Sequence, residues 1–308
     1  MTPEEREMLT ALASELLAAG NGDVLVDEIA TSGMAEEVWS DPDTTARLFE
    51  TQGALGATSA LLDLITLRQV GTRLLLPLPG SAQPPGRVLG KQIAIDGVAS
   101  AYLAGQPLVV ALDSGDVVQL DATGTVVDGF DPALGLVRIQ TTVTLDQCVP
   151  LEGVPDWDGL VARTARTLAW QLVGVASAAR TLAVRHVQDR HQFGRPIGSF
   201  QTVQHRLADA LIAETGAREV LTAAGEPTDG VVERLVVKAV AGRAALIAVA
   251  AAQQVCGAMG FTAEFGLHAY VRRAYLLDAL LGGSEDAEAD LAAYVLTTGL
   301  PPRQLVSL

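Results

Sequence analysis

Cysteine is scarce in this chain of 308 residues, and its scarcity excludes most sites that are built from thiols. Cys148 and Cys256 lie far apart and belong to no CxxC or Cys/His ligand spacing. We therefore expect neither a disulfide framework nor a metal site. Free thiols are typical of proteins in a reducing compartment, so a cytoplasmic location is expected.

Basic and aromatic residues are also few. The chain has 21 Lys and Arg against 36 Asp and Glu, a formal net charge of -15, and only 4% aromatic residues. Such an excess of negative charge disfavours a general surface for nucleic acid or anionic membranes. Hydrophobic residues, mainly Ala, Leu and Val, make up 49% of the chain, which predicts tightly packed, aromatic-poor helices.

Neither a secretory leader nor a membrane span is expected. Residues 1–6 are acidic and lack the basic start of a signal peptide. The longest apolar stretch, 231–259, predicts a buried helix, because charges at a bilayer centre each cost about 2.5 kcal/mol or more. It is interrupted by Glu233, Arg234, Lys238, Arg243, Gln253 and Gln254.

The order of local patterns predicts a mostly helical α+β protein of three segments. Helical periodicity in the first segment ends at dense Pro and Gly punctuation between Leu75 and Arg87. Short β-rich runs separated by Gly turns follow, and helical patterns resume after Pro155. We predict an N-terminal helical domain at 1–80, a small antiparallel β domain at 87–150 and a C-terminal helical domain at 155–308.

One segment between two predicted helices carries groups suited to a nucleotide. It reads Asp189-Arg190-His191-Gln192-Phe193-Gly194-Arg195-Pro196-Ile197-Gly198, and Ser199 is predicted to cap the next helix. Arg190 offers a permanent charge to phosphate, Gln192 an amide and Phe193 a flat ring. The alternative is purely structural: an Arg that complements a helix dipole, followed by a helix hairpin turn.

A second segment, Gln254-Val255-Cys256-Gly257-Ala258-Met259-Gly260, follows the long apolar helix. Its glycines would let a ligand or another chain approach the backbone. A glycine that merely closes the helix is the alternative.

Taken together, the two segments resemble the acyl-CoA dehydrogenase family over about residues 158–282. The β segment resembles the family's middle domain more loosely, and the N-terminal helices match only by position and are shortened. The motifs are Arg190-x-Gln192-Phe193-Gly194-x-Pro196-Ile197, His205-x-x-Ala208-Asp209, Gln254-x-x-Gly257-x-x-Gly260-Phe261-Thr262 and Leu267-His268-x-Tyr270-x-Arg272-Arg273.

The resemblance implies N-terminal helices, a β middle domain and a C-terminal four-helix bundle, with FAD lying across a subunit interface. Arg190, Gln192 and Phe193 would contact the pyrophosphate and adenosine of a FAD whose reactive ring lies in the neighbouring subunit. Gln254, Gly257 and Gly260 would complete that half-site. The implied reaction is α,β-desaturation of an acyl-CoA thioester, in which a carboxylate removes the α proton and flavin N5 accepts the β hydride.

The sequence departs from the family at the catalytic base. Its two usual places fall at Gly282 and Thr164, and neither side chain can remove an α proton. Glu285 is the nearest substitute, although an acidic residue in the first turn of a helix capped by Ser284 is the simpler interpretation. The usual substrate-lining segment and the flavin-facing β motif are not found.

These departures favour a subunit that donates half of a FAD site to a partner and does not supply the base. The family includes heteromeric, α2β2 enzymes of actinobacterial steroid side-chain degradation, and the chain resembles their small subunit. The implied partners are a second dehydrogenase subunit, an acyl-CoA substrate and an electron-transfer acceptor. In that branch the substrate is a steroid side-chain CoA ester, and a plain fatty acyl-CoA is the alternative. Two alternatives stay open: a homomeric dehydrogenase with Glu285 as displaced base, and a scaffold subunit without flavin.

Overall fold

The computed structural model describes residues 1–102, 104–224 and 230–298. Helices come first along the chain, two small sheets follow, and a bundle of long helices comes last. The predicted fold class, mostly helical with small antiparallel sheets, is confirmed. The three domain limits stay predictions, and residues 225–229 and 299–308 of the predicted C-terminal domain lie outside the described residues.

Helices that begin at strong caps form the N-terminal segment. Thr2 and Glu5 form a reciprocal capping box at the start of the first helix, and Asp41 accepts a hydrogen bond from the backbone N–H of Asp43 at the start of the fourth. Gly56, with a φ of 61°, ends the fourth helix in a left-handed conformation. The helices are α1 Pro3–Ala18, α2 Gly22–Thr31, α3 Ala35–Ser40, α4 Pro42–Leu55 and α5 Leu61–Leu67.

Two four-stranded sheets pack face to face in the middle segment. Their orders are β1-β4-β5-β8 and β2-β3-β7-β6, and the longest pairing joins β3 to β7. Ile93, Ile95 and Ile139 lie in the apolar cluster between the sheets. The strands are β1 Arg73–Leu74, β2 Gly86–Leu89, β3 Gln92–Ser100, β4 Leu108–Ala111, β5 Val117–Leu120, β6 Thr125–Val126, β7 Leu136–Thr144 and β8 Val149–Pro150.

Long antiparallel helices form the C-terminal segment. Asp156 accepts a hydrogen bond from the N–H of Gly159 and so caps the longest of them. Helix α6 contacts α7, α7 contacts α8, and α8 contacts α9. The helices are α6 Trp157–Asp189, α7 Gln201–Ala224, α8 Val231–Cys256, α9 Leu267–Ala279 and α10 Ser284–Thr298.

Within the described residues, one stretch, Val231–Phe261, is long and apolar enough to cross a membrane. Of its most apolar window, with a mean hydropathy of 1.9, 61% is buried within the protein. Helix α8 contacts α6, α7, α9 and α10, which is the arrangement of a core helix. This burial supports the prediction of a buried helix at 231–259.

Helices α4 and α6 approach closely because glycines lie at their crossing. A β-carbon on Gly53 would collide with the carbonyl of Gln171, and one on Gly174 would collide with the carbonyl of Glu50. The N-terminal helices and the C-terminal bundle therefore share one continuous apolar core.

Gly174→Ala is expected to lower the free energy of unfolding by about 1 to 3 kcal/mol, because the added methyl group overpacks this crossing. Gly216→Ala, in the interior of α7, is the matched control: nothing lies within 4 Å of its β-carbon position. This control should gain about 0.5 to 1 kcal/mol from helix propensity. Urea unfolding of both variants measures the difference, and a shift of the same sign in both would contradict the close approach.

Some local predictions are wrong. Ser199 does not cap α7; it lies in a 3₁₀ turn, where its hydroxyl donates to the carbonyl of Pro196 at 2.7 Å, and α7 begins at Gln201. Ser284 is the first residue of α10, not its cap. The β segment is antiparallel as predicted, with one exception: the two residues of β1 pair with β4 in parallel. Strand β3 is not evident from the sequence, because it contains Ala, Asp and Gly, which strands disfavour.

Candidate functional site

The first predicted segment folds into a small β-hairpin at the end of α6. Strand β9, His191–Gln192, pairs antiparallel with β10, Arg195–Pro196. The backbone N–H of Ile197 donates to the carbonyl of Arg190 at 2.8 Å and closes the base of the hairpin. The sequence predicted a rigid turn here, and the pairing explains the rigidity.

Phe193 occupies the tip of the hairpin in a left-handed conformation. Its φ is 54°, and that of Gly194 is 80°, which is the pattern of a two-residue hairpin turn. A bulky residue in this conformation costs about 1 to 2 kcal/mol. The side chain is nevertheless 92% exposed, so its burial within this chain does not offset that cost. Such a ring is placed for contact with something outside the chain.

Phe200 supports the hairpin from the side. Its ring meets that of Phe193 edge to face, with centroids 6.2 Å apart, and the Arg195 guanidinium lies 4.2 Å from its centroid. Edge-to-face and cation–π contacts are each worth about 0.5 to 1.5 kcal/mol at such sites. Phe193 is thus held in one orientation despite its exposure.

Four exposed guanidinium groups lie around this end of the bundle, on the last turns of α6, the hairpin and the first turns of α7. None forms an ion pair within the part of the chain that the structure describes. In a chain of net charge -15, this local excess of positive charge favours an anionic ligand. The four are Arg185, Arg190, Arg195 and Arg206.

The second predicted segment forms the end of α8 and the 3₁₀ helix Gly257–Phe261. Gly257 has φ 55° and ψ -137°, a conformation that essentially only glycine adopts, and its β-carbon position faces open space. Gly260 is required for packing instead, because a β-carbon there would lie 3.2 Å from Cys256 and from Leu267. Gln254 is exposed in the last turn of α8.

Both segments lie at the same end of the bundle. The antiparallel helix order brings the end of α6, the start of α7, the end of α8 and the start of α9 together. A ring contact joins the two segments: His186 on α6 meets Phe265, in the loop before α9, edge to face at 5.2 Å. The structure therefore places Arg190, Gln192 and Phe193 on the same bundle end as Gln254, Gly257 and Gly260.

The two places expected for a catalytic carboxylate hold none. Gly282 has a φ of 83°, and Thr164 is 1% exposed, with its hydroxyl donating to the carbonyl of Leu160 at 2.8 Å. Thr164 also meets the Thr66 hydroxyl at 3.4 Å. Neither residue offers a group that could remove a proton from carbon.

Buried hydrogen bonds fix the turn at Gly282 from both sides. The Lys238 ammonium donates to the carbonyls of Leu277 and Asp278 at 2.8 and 2.6 Å, at the end of α9. The Asp278 carboxylate accepts from the N–H of Ser284 at 3.1 Å and from its hydroxyl at 3.3 Å. Burial lowers the pKa of Lys238 to about 8, and the nearby Asp278 charge opposes this. Asp278 therefore has a structural partner and is not a free base.

Glu285 lies in the exposed first turn of α10. Beside it, the Asp286 carboxylate accepts a hydrogen bond from the backbone N–H of Gly283 at 3.1 Å, just before the first residue of the helix. An acidic first turn complements the dipole of its helix. The role of Glu285 as a displaced base stays a prediction.

Where the three segments meet, the interior holds a cavity of only about 50 Å³. Its polar wall consists of Gln52, Ser59, Asp63 and Gln171, and Leu280 closes it on the side of the Gly282 turn. Small-molecule sites are usually about 300 to 1,000 Å³, so the cavity is too small for a flavin ring or an acyl chain.

Asp63 in this wall is 2% exposed, and burial raises its pKa to about 7. The backbone N–H of Leu74 donates to its carboxylate at 2.7 Å, which, with the charge of Arg73, opposes the rise. This buried carboxyl group could not be predicted from the sequence, because its burial depends on the contact between α5 and β1.

Asp63 makes stability fall as the pH rises. Its pKa in the unfolded chain is about 3.9, so between about pH 4 and pH 7 the folded state holds a proton that the unfolded state has released. The resulting loss is on the order of 4 kcal/mol by pH 7. In Asp63→Asn this pH dependence should disappear, as measured by urea unfolding between pH 5 and 8. An equally steep fall in the variant would contradict the assignment.

An open cleft of about 730 Å³ lies between the linker at 77–85 and the outer face of β3 and β7. Its walls include Arg87, Asp96 and Thr142. Arg138 donates to both oxygens of Asp96, at 3.0 and 2.9 Å, so this carboxylate is already engaged. The linker itself contacts the end of α9, where the N–H of Gly80 donates to the carbonyl of Ala279 at 2.7 Å.

Comparison with known proteins gives consistent matches. The family model described as the acyl-CoA dehydrogenase C-terminal domain matches residues 160–296. Acyl-CoA dehydrogenase IpdE2 of Mycobacterium tuberculosis is 29% identical over 303 residues, which cover 89% of this chain and 92% of that protein.

Solved structures match over almost the whole chain. The ChsE4-ChsE5 complex from Mycobacterium tuberculosis contains a chain with a TM-score of 0.76 and 18% identity, covering 98% of this chain and 99% of that one. A variant of the Tcur3481-Tcur3483 steroid ACAD gives a TM-score of 0.71 and 20% identity, with coverages of 96% and 99%. These two similarities are similarities of fold.

Proposed function

This chain belongs to the acyl-CoA dehydrogenase family, and we propose that it is the subunit of a heteromeric FAD-dependent enzyme that completes a partner's FAD site without supplying the catalytic base. The observation that carries the proposal is the exposed hairpin with Arg190 and Phe193, built at one end of a bundle whose own base positions are empty of carboxylates. Oxidoreductase chemistry is the activity of the whole assembly.

The hairpin is suited to the diphosphate and adenosine of FAD. Arg190 would pair with the diphosphate, Gln192 would donate or accept at the adenosine, and Phe193 would cover an apolar surface of the ligand or partner. Gln254 and the open backbone at Gly257 would complete the half-site, with Gly260 maintaining the packing beneath it. FAD, when bound, supplies the hydride acceptor for α,β-desaturation of an acyl-CoA thioester.

The interior of the chain supports a donor role over a catalytic one. The cavity where the three segments meet measures about 50 Å³, and the turn at Gly282 is fixed by Lys238 and Asp278. A substrate could bind in this region only if the cavity opened. Its α proton could be removed there only if another chain supplied a carboxylate. The base and the substrate pocket therefore belong to the partner.

The names of the structural neighbours suggest the kind of assembly and substrate. The ChsE4-ChsE5 complex and the Tcur3481-Tcur3483 steroid ACAD each pair two different chains. We propose the same for this chain: a heterotetramer with a second dehydrogenase subunit, an electron-transfer acceptor, and a steroid side-chain CoA ester as substrate. Its two free thiols accord with a cytoplasmic assembly.

The test is to express the chain alone and together with a candidate second acyl-CoA dehydrogenase subunit. Acyl-CoA turnover is expected only from the pair. Turnover by the chain alone, with bound FAD, would refute the donor role. A co-purified pair without flavin absorbance would support the scaffold without flavin instead.

A homomeric dehydrogenase is the second candidate, because the outer cleft of about 730 Å³ has the size of a ligand site and lies near the Gly282 turn. Glu285 would then be the displaced base. We expect Glu285→Gln to leave kcat of the pair unchanged, because Glu285 is exposed on the first turn of α10. Removal of an essential base would lower kcat at least about a hundredfold. Such a loss would identify Glu285 as the base, and turnover by the chain alone, lost in the same variant, would favour the homomeric enzyme.

A further inference from the structure

The cavity of about 50 Å³ where the three segments meet has four polar side chains in its wall. Three of them come from the N-terminal helices and one comes from the long helix α6. All four are at most 5% exposed, so bulk solvent does not satisfy their hydrogen bonds. They are Gln52 on α4, Ser59 before α5, Asp63 on α5 and Gln171 on α6.

Hydrogen bonds within the chain fix part of this wall. The Ser59 hydroxyl donates to the side-chain oxygen of Gln52 at 2.5 Å and accepts from the backbone N–H of Leu61 at 3.2 Å. The backbone N–H of Leu74 donates to one oxygen of the Asp63 carboxylate at 2.7 Å. Because the oxygen of the Gln52 amide is engaged by Ser59, its N–H groups are left for the cavity.

Three polar groups in the wall keep unused hydrogen-bonding capacity. Within the part of the chain that the structure describes, no hydrogen bond to another residue is formed by the Gln171 side chain, the second oxygen of Asp63 or the amide nitrogen of Gln52. Buried polar groups of native proteins are nearly always bonded to protein or to ordered water, because an unmade bond costs folding free energy. Three such groups around one cavity indicate a bound guest.

The cavity selects its guest by size and by chemistry. A water molecule needs about 10 to 15 Å³ of such space and occupies about 30 Å³ in the liquid, so about one or two fit. The guest must accept from the Gln52 amide and also bond to a carboxyl oxygen, and water does both. A cation accepts nothing from Gln52, and the positive charge of Arg73 already acts on Asp63.

We propose that this cavity binds one or two ordered water molecules, which connect Gln52 and Asp63 of the N-terminal helices with Gln171 of α6. The inference goes beyond the proposed function, because neither the flavin nor the partner subunit enters this cavity. Asp63 and Gln171 are thus water ligands that join two segments. An apolar group that displaced the water would leave both without a partner, so the cavity disfavours such a group.

A crystal structure of the full chain, or of the co-purified pair, tests the proposal. We expect water density within about 2.7 to 3.2 Å of the Asp63 carboxyl group and the Gln171 amide. Asp63→Asn should keep the water, because an amide both donates and accepts hydrogen bonds.

Magnetic relaxation of solvent oxygen, which counts long-lived internal waters in solution, gives a second measurement. The double variant Asp63→Leu, Gln171→Leu should lose about one or two of them relative to the wild-type chain. Gln140→Leu makes the same replacement of Gln by Leu on the exposed face of β7 and should lose none.

Two results overturn the proposal directly: a wild-type cavity without water density, or equal water counts in the wild-type chain and the double variant. If the double variant does not fold, the density in the wild-type chain and in Asp63→Asn decides. A cation would also overturn it, and would be recognised by anomalous scattering after exchange of sodium for thallium and by loss of the guest in Asp63→Asn. The proposed function is judged separately, by the flavin content of the co-purified pair.

Discussion

Replacing Arg190 with alanine is expected to weaken FAD retention by the assembled enzyme by about 1.5 to 3 kcal/mol, which is roughly ten- to a hundredfold in the dissociation constant. The guanidinium is exposed, forms no ion pair within the described part of the chain and stands at the base of a rigid hairpin. Its loss should remove a charge-assisted contact to the diphosphate without disturbing the bundle.

Release of flavin on dilution, followed by fluorescence, measures the effect in the co-purified pair. Arg243→Ala is the matched control, because Arg243 is an exposed guanidinium on the same bundle that pairs with Glu288 at 2.9 Å. Arg190→Lys should restore part of the affinity, since it keeps the charge but not the planar fork. Equal flavin release from Arg190→Ala and Arg243→Ala would contradict the role of Arg190.

The second large effect concerns stability: Arg273→Leu should lower the free energy of unfolding by about 3 to 5 kcal/mol. The Arg273 guanidinium meets the Asp131 carboxylate at 2.5 Å, and both side chains are almost fully buried. Arg273 also donates to the carbonyl of Ala57 at 2.7 Å. It thus joins α9, the β segment and the α4–α5 connection, and its removal leaves a buried carboxylate without a partner.

Arg272→Leu offers a neighbouring control, because that side chain is exposed on the same helix. It should change stability by no more than about 0.5 kcal/mol. Urea unfolding of both variants gives the comparison. If the two variants unfold at the same urea concentration, Arg273 does not hold the three segments together.

The helices could be predicted because their signals are local. Thr2 and Pro3 mark the start of α1, and the long apolar runs of α6 and α8 mark a buried bundle. Strand β3 could not be predicted, because its partner residues in β7 lie 36 to 52 positions away and supply the pairing that its own residues do not favour.

Only part of the candidate half-site could be predicted from the sequence. The residue types of Arg190, Gln192 and Phe193 indicated a nucleotide contact, but the left-handed backbone at Phe193 follows from hairpin pairing and has no sequence signal. The contact of His186 with Phe265 could not be predicted either, because it joins residues almost eighty positions apart in the sequence.

That Gly282 and Thr164 carry no carboxylate is evident from residue identity alone. The hydrogen bonds that fix the turn at Gly282 could not be predicted from the sequence. Lys238 and Asp278 come from different helices, and their hydrogen bonds depend on the close packing of α8 against α9. The high pKa of Asp63 could not be predicted from the sequence either, because it arises from burial between α5 and β1.

The ratio of flavin to subunits in the co-purified pair, taken from its visible spectrum and subunit stoichiometry, tests the donor role most directly. We expect one flavin for each pair of different subunits, no flavin in this chain alone, and loss of that flavin when Arg190 of this chain is replaced. Stoichiometric flavin in this chain purified by itself would contradict the donor role.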